Sequence, residues 1–468
     1  MKLIKYTAIA FSFILTSCGN KTDKQEPTIT NKSAKEMKSE VIIMTLDPGH
    51  FHAGLVQKSM YDQVNDTVYV YGPEGEDITD HLSRIDRYNT RDENPTEWVE
   101  KVYIGEDYLK KMIADKPGNV MMVSGRNNLK MGYIKAAVDA GINVFSDKPM
   151  VISSKDYALL EEVFEIAKQK GLLVYDIMTE RFEINTILQR ELSMTPEVFG
   201  ELTEGTKEDP AITKESVHHF FKYVSGKPLK RPEWFFDTKQ RGEGLNDVST
   251  HLVDLVQWEA FPNQILNKSD IEIVDVKHWK TILTLDQFRR VTGSNSFPEF
   301  LKKDVKGDKL QIYCNGSITY KIRGKYAKTS VTWNYEAPEG TGDTHYSIMR
   351  GTKCDLIIKQ GKEESYKPKL YITIKSNSAI SEFEDKLKNE IESKISINYP
   401  GIELRKISDT TWIIDIPQKY KIGHEEHFGE VTKNYLKYLS EGNIPEWEVP
   451  NMLVKYYTTS QASKMAHD

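Results

Sequence analysis

The chain has 468 residues, enough for two or three domains with sizeable cores. Its 63 Lys and Arg against 69 Asp and Glu leave a formal charge of −6, a weakly acidic balance that argues against nucleic acid as a partner. Apart from Cys18 there are only Cys314 and Cys354, which are either buried thiols or one disulfide and are too few for a cysteine-based metal site.

Residues 1–17, MKLIKYTAIAFSFILTS, start with Lys2 and Lys5 and run into an apolar stretch too short to span a bilayer, which predicts a secretory signal peptide. Cys18 follows Leu15-Thr16-Ser17, an ending that resembles the lipobox of bacterial lipoproteins; a plain membrane anchor or a chance cysteine is the alternative. Residues 18–40 are polar and rich in Lys, Thr and Ser, as a flexible tether is. The expectation is an exported protein, lipid-anchored to a bacterial membrane and facing the periplasm or the cell surface.

From residue 41 strands and helices alternate. Residues 41–46 (VIIMTL) read as a strand, closed by Asp47-Pro48-Gly49 and followed by a helix-like stretch from about Ala53. Residues 66–71 (DTVYVY) read as a second strand, and the polar stretch 78–103 as an insertion. Residues 106–114 predict a helix and 119–124 (NVMMVS) a strand, and Met131, Ile134 and Val138 mark one face of the next helix. Residues 143–146 form a strand after Gly141, 155–170 a helix ending at Gly171, and 172–175 a strand. This rhythm predicts a mostly parallel, doubly wound Rossmann-like sheet over residues 41–175.

In such a sheet the ligand lies in the crevice beyond the carboxyl ends of the strands. Three segments fall there: the loop Asp47-Pro48-Gly49-His50-Phe51-His52-Ala53-Gly54, which holds glycines at 49 and 54 but no GxGxxG; the run Ser124-Gly125-Arg126-Asn127-Asn128; and Ser146-Asp147-Lys148-Pro149. Proline restricts the residue before it, so Lys148 is directed at the strand end, where an ammonium can donate to a substrate hydroxyl or stabilise a developing alkoxide. In residues 242–258, GEGLNDVSTHLVDLVQW, Val248, Leu252 and Leu255 form a packing stripe, while Asp247, His251 and Asp254 share the neighbouring face. Asp247 is either a first-turn acid or part of a site, and His251 either a core histidine or a base.

The run AAVDAGINVFSDKPM resembles the AGKHV..EKP segment of the glucose-fructose oxidoreductase and inositol dehydrogenase (Gfo/Idh/MocA) family, with Asp147 for the usual Glu, and residues 242–258 resemble its Gly-rich stretch followed by D-x-x-x-H. The resemblance covers about 41–350. It implies an α/β protein with an N-terminal Rossmann-like domain followed by an α+β domain, 176–468, with an open mixed or antiparallel sheet, and here an insertion near 376–420. It further implies an oxidoreductase that binds NAD, with NADP as the alternative, acts on a sugar or glycoside hydroxyl and forms a homo-oligomer. At matching positions it makes His251 the base, Lys148 the ligand of the reacting oxygen and Asp247 its partner. The candidate nucleotide-binding residues are Asp47, Gly49, His50, Phe51, His52, Ser124, Arg126, Asn127 and Lys148. Asp47 and His52 depart from the small residues usual in the family, and the second strand lacks an immediate acid, so that either Glu74 or Glu76, or Arg84, Arg87 and Arg91, would meet the ribose side.

Glu180 and Arg181 either contact a sugar or form ion pairs at the domain boundary. One of His218 and His219, taken as His219, would line the substrate pocket, and Trp234 would stack on a sugar ring. His345 reads as a surface-loop residue. His424 and His427 stand at i, i+3 rather than the i, i+4 of a zinc helix, so no metal is expected. A signal peptide without twin arginines implies that cofactor is acquired outside the cytoplasm, which favours a tightly held nucleotide. Two alternatives stand beside a sugar dehydrogenase: a glycosidase that recycles NAD through oxidation and elimination, and a carbohydrate-binding lipoprotein without turnover.

Overall fold

The computed structural model describes residues 41–224, 227–375 and 380–468; the predicted signal peptide, Cys18 and the tether lie outside them. Six parallel strands form the first sheet: β1 (Ile43–Leu46), β2 (Thr67–Gly72), β3 (Val99–Ile104), β4 (Val120–Val123), β5 (Asn143–Ser146) and β6 (Val174–Asp176), in the order β3-β2-β1-β4-β5-β6. Every residue of β1 and β4 is buried, as central parallel strands covered on both faces must be, which explains their unbroken apolar runs. Met131, Ile134 and Val138 are buried on the helix Asn127–Asp139, and Gly171 ends the helix Ser154–Lys170 at φ 63, in the left-handed region that glycine takes without strain.

Residues 78–103 are not an insertion. They hold most of the helix Glu76–Thr90 and the edge strand β3. The helix buries only Ile78, His81 and Ile85, and β3 leaves most of its side chains partly or fully exposed, so neither periodicity stands out against the polar background. The helix after β1 is a single turn, His52–Leu55.

The second sheet has ten strands. From one edge they run Ile271–Thr284, Lys309–Ile322, Lys325–Glu336, Ile212–Phe221, Thr344–Arg350, Cys354–Lys359, Lys369–Ile374, Thr411–Asp415 and Glu403–Ser408, with Val305–Lys306 paired onto Lys309–Ile322. Only the pairing of Ile212–Phe221 with Lys325–Glu336 is parallel, so the sheet is mixed. The predicted insertion extends this sheet at its far edge, through Tyr371↔Ile413. Cys314 and Cys354 are both free and buried, in different apolar clusters.

Packing joins the two halves across residue 176. The C-terminal helices His424–Glu441 and Glu448–Met465 return to the first sheet, where Phe428, Val431, Tyr435, Leu436, Met452 and Tyr456 join its core, and Tyr435 stacks on Phe145 at 4.4 Å. A chain of buried charges crosses the same seam. Arg181 donates to both carboxylate oxygens of Asp254, at 2.6 and 2.7 Å, and to Glu448 at 2.8 Å. Lys455, fully buried, lies 2.9 Å from Asp254 and 2.8 Å from Asp176 at the end of β6, where Tyr456 donates at 2.6 Å. Arg181 is therefore a structural residue, not a sugar contact.

Breaking this network should be costly. Lys455→Met leaves buried Asp176 with the Tyr456 hydroxyl but no cation, and Asp254 with Arg181 alone, and should lower unfolding free energy by about 3–5 kcal/mol, measured by urea denaturation at neutral pH. A second prediction concerns His81, whose Nε2 is buried without a partner and whose pKa is pushed down to about 3 by burial, then by Arg84. The unfolded imidazole takes up a proton near pH 6.5 that the folded one refuses, so this contribution to stability falls as pH drops below about 6.5 and keeps falling toward the folded value. Urea titrations between about pH 6.5 and pH 4.5 should show a shallower loss in His81→Gln than in the parent, by up to one proton.

Candidate active site

The crevice beyond β1, β4 and β5 brings the predicted segments together. Lys148, in a cis peptide with Pro149, lies 2.7 Å from Oδ1 of Asp247, and both side chains are about 10% exposed. Asp247 precedes the helix Ser249–Ala260 rather than opening it, and its Oδ2 accepts from Arg241 Nε at 2.9 Å. Arg241 stacks over Phe235 at 3.8 Å and Trp333 at 4.2 Å. Burial alone would raise the Asp247 pKa, but Arg241 and Lys148 outweigh it and hold the carboxyl well below its usual range.

His251 sits on the first turn of that helix. Burial, then the Lys148 charge, push its pKa down to about 3, so the ring is neutral at physiological pH, and its Nδ1 is buried without a partner. The ammonium, the carboxylate and the imidazole thus share one electrostatic environment. Asp254, one turn further on, is taken up by the Arg181 network.

Glu180 belongs to the site. It lies on the single turn Thr179–Phe182, with His424 Nδ1 at 3.6 Å. Burial would raise its pKa, but His424, His345 and His251 together bring it well below the usual value. His345 lies in the strand Thr344–Arg350 rather than in a loop, and packs edge-on against His218 at 6.2 Å. His218 and His219 do not diverge: both reach Asp343, at 2.9 and 3.4 Å, and it is His218 that meets His345, while His219 is the more enclosed. His424 and His427, dismissed from the sequence for their spacing, start a helix whose N-terminal end abuts the Glu180 turn. Their signal was the imidazole content of GHEEHF; Arg241 carried none.

The β1 loop keeps the path of a dinucleotide loop with different chemistry. Asp47 has φ 46, the left-handed conformation that glycine usually supplies, and its buried carboxylate accepts from Tyr133 at 3.1 Å and pairs with Arg126 at 3.3 Å. Gly125 is needed for close approach, since a Cβ there would stand 2.4 Å from the Asp47 carbonyl. The amide of Gly49 donates to the Asp47 carbonyl at 2.8 Å and that of His50 to the Ser124 carbonyl at 3.0 Å. Arg126 also pairs with Asp77 at 3.0 Å and lies 5.3 Å from the ring of Trp234, which covers Gly49 rather than a sugar subsite. Asp77, not Glu74 or Glu76, is the acid nearest this loop, and Arg84 packs over Phe51. Asn127 donates to the Arg241 carbonyl at 2.6 Å and accepts from Lys130, a structural role rather than a nucleotide contact. The cleft left between Gly49, Phe51, Arg84 and Phe235 is about 50 Å³, whereas small-molecule sites hold roughly 300–1,000 Å³. The residue types at the Lys148 end suit a nicotinamide dinucleotide, whereas at the pyrophosphate end the cleft is too small to admit one unless Trp234 and Arg126 move.

His50 and His52 point elsewhere. Their Nδ1 atoms lie 3.2 and 3.1 Å from the carboxylate of Asp147, which also accepts from Ser124 Oγ at 2.8 Å. Burial lowers the pKa of both rings, that of His52 further, so both are neutral.

Residues 188–467 match the family described as "Putative oxidoreductase C terminal domain", and residues 80–176 match "Oxidoreductase family, NAD-binding Rossmann fold". No curated protein matches the chain. A crystal structure of a "putative oxidoreductase" from Parabacteroides merdae is 56% identical, covering 92% of this chain and 98% of that one, with a TM-score of 0.89. The fold is shared at 12% identity with a Thermotoga maritima "putative oxidoreductase" (TM-score 0.56; 91% and 98% covered) and at 11% with levoglucosan dehydrogenase in complex with NADH and L-sorbose (TM-score 0.57; 92% and 97% covered). With a Lys-Pro strand end, an Asp-x-x-x-His helix start and these matches over both sheets, the chain belongs to the Gfo/Idh/MocA oxidoreductases, a family built on an NAD-binding Rossmann domain.

Proposed function

We propose that the protein oxidises a ring hydroxyl of a sugar or glycoside, using NAD rather than NADP. The observation that carries this reading is the Lys148–Asp247 contact at the strand ends, with His251 one turn on from Asp247 and near enough to feel the Lys148 charge. Lys148 donates a hydrogen bond to the reacting hydroxyl oxygen and holds negative charge there as the proton leaves. Asp247, kept ionised between Lys148 and Arg241, fixes the ammonium in place. The neutral ring of His251 accepts the hydroxyl proton. NAD, when bound, supplies the hydride acceptor, with Ser124 and Lys148 as the residues that would hold it and Arg126 joining them once released from Asp47 and Asp77. That levoglucosan dehydrogenase shares the fold supports a carbohydrate substrate. The lipobox-like Leu-Thr-Ser-Cys18 supports an exported, lipid-anchored enzyme, and with it a nucleotide that exchanges slowly.

A second reading, oxidation followed by elimination of a glycosidic bond and return of the hydride, is favoured by Glu180 and His424 beside His251, which add a further acid and base to the same pocket.

Incubation with NAD and a panel of sugars and glycosides, following nicotinamide absorbance and products together, should give reduced nicotinamide with a keto sugar. Product without net reduction selects the elimination route, and an absence of both nucleotide affinity and turnover would sink the enzyme reading in favour of a binding lipoprotein. His251→Ala should lower kcat by about 10²–10⁴-fold with nucleotide affinity unchanged; undiminished turnover would remove His251 from its role.

A further inference from the structure

The loop after β1 contributes His50 and His52, and the end of β5 contributes Asp147. The Nδ1 atoms of the two rings and the carboxylate oxygens all lie within 4.8 Å of one another. We propose that these three side chains bind a divalent transition-metal ion of the zinc class, at the carboxyl ends of the Rossmann strands and next to Lys148.

Geometry is the first support. An ion that holds nitrogen and oxygen donors at its usual 2.0–2.1 Å in a tetrahedron sets neighbouring donors roughly 3.3 Å apart. The nitrogen-to-oxygen distances here are 3.2 Å for His50 and 3.1 Å for His52, within a few tenths of that spacing. The two rings pack edge to face with centroids 4.0 Å apart, so both are already turned to the one carboxylate.

Charge is the second. Asp147 is 3% exposed, and among the described residues no Lys or Arg forms an ion pair with its carboxylate; the side chains paired with it are His50 and His52. The ammonium of Lys130 donates to the Asp147 backbone carbonyl at 2.8 Å and not to its carboxylate, whose side-chain partners are the two imidazoles and the Ser124 hydroxyl. The nearby buried carboxylates Asp176, Asp247 and Asp254 each touch a Lys or Arg. A dication supplies at Asp147 what those cations supply elsewhere, and neutral imidazole with ionised carboxylate is the ligand form it requires.

The surroundings are the third. Ser124 Oγ donates to Asp147 at 2.8 Å and so orients the carboxylate from behind, as outer-shell partners of metal ligands do. Three protein ligands leave a fourth position for water or a substrate oxygen, the arrangement of catalytic rather than structural zinc. The ring of His424 stands 5.5 Å from that of His52, on the side where Glu180 lies. An ion there would polarise a substrate hydroxyl or acidify a bound water within the pocket that already holds Lys148. The site stands on these residues alone and does not depend on the nucleotide or on the sugar assignment.

The test uses tag-free mature protein stripped with chelator, dialysed against Zn²⁺ and analysed for metal content, with Co²⁺ as a spectroscopic probe. Glu243, His278 and His467 form a second, more exposed cluster, so His278→Gln serves as the control. The expected result is one ion per chain, a Co²⁺ absorption of tetrahedral character, and at least about 100-fold weaker binding in His52→Gln and in the more exposed His50→Gln, with His278→Gln unchanged. Circular dichroism and thermal melts establish that the variants are folded, and either His variant suffices. Absence of bound metal in the parent, retention of full affinity in both His variants, or loss of the ion in His278→Gln would each overturn the proposal.

Discussion

The buried charge chain Arg181–Asp254–Lys455–Asp176 decides where everything else in the site can be. Asp254 is on the helix Ser249–Ala260, Lys455 on the helix Glu448–Met465, and Asp176 at the end of β6. Each group is desolvated, so each tolerates only the arrangement in which its partner is present. That requirement locks the helix start bearing Asp247 and His251 against the strand ends bearing Lys148. The apolar packing of Phe428, Tyr435 and Met452 on the same sheet provides the binding area, and the charges provide the register.

The site then divides its titratable groups into two kinds. Lys148, Arg241 and Asp247 form a short ionic chain that stays charged. Around it stand imidazoles that burial keeps neutral, among them His251, His50, His52 and His427. Neutral rings beside a fixed ammonium can take a proton or ligate a cation, whereas charged rings could do neither. Removal of water is the largest cause of the lowered pKa of each of these rings.

The nucleotide loop shows how a family position can keep its shape and change its chemistry. Asp47 adopts the left-handed backbone of the missing glycine, because its short carboxylate finds Tyr133 and Arg126. Gly125 still permits the two loops to touch. The loop amides are used internally, and Trp234 from the second half of the chain lies over them.

Much of this was legible in the order of residues. Continuous apolar runs reported the buried strands β1, β4 and β5, helix periodicity reported the face carrying Met131 and Ile134, and Lys148 with Asp247 and His251 stood out by spacing. The helix Glu76–Thr90 and the edge strand β3 were hidden, because an element with one thin buried stripe or none has no periodic contrast. His345, His424 and Arg241 were visible as letters but not as a site, and His50 and His52 were read as nucleotide-loop residues with no sign that they meet Asp147. Periodicity tells which face of an element is buried and says nothing about which distant element it meets. Lys148 and Asp247 are 99 positions apart, and only the packing of the C-terminal helices back onto the first sheet brings such pairs into contact and takes the water away from them.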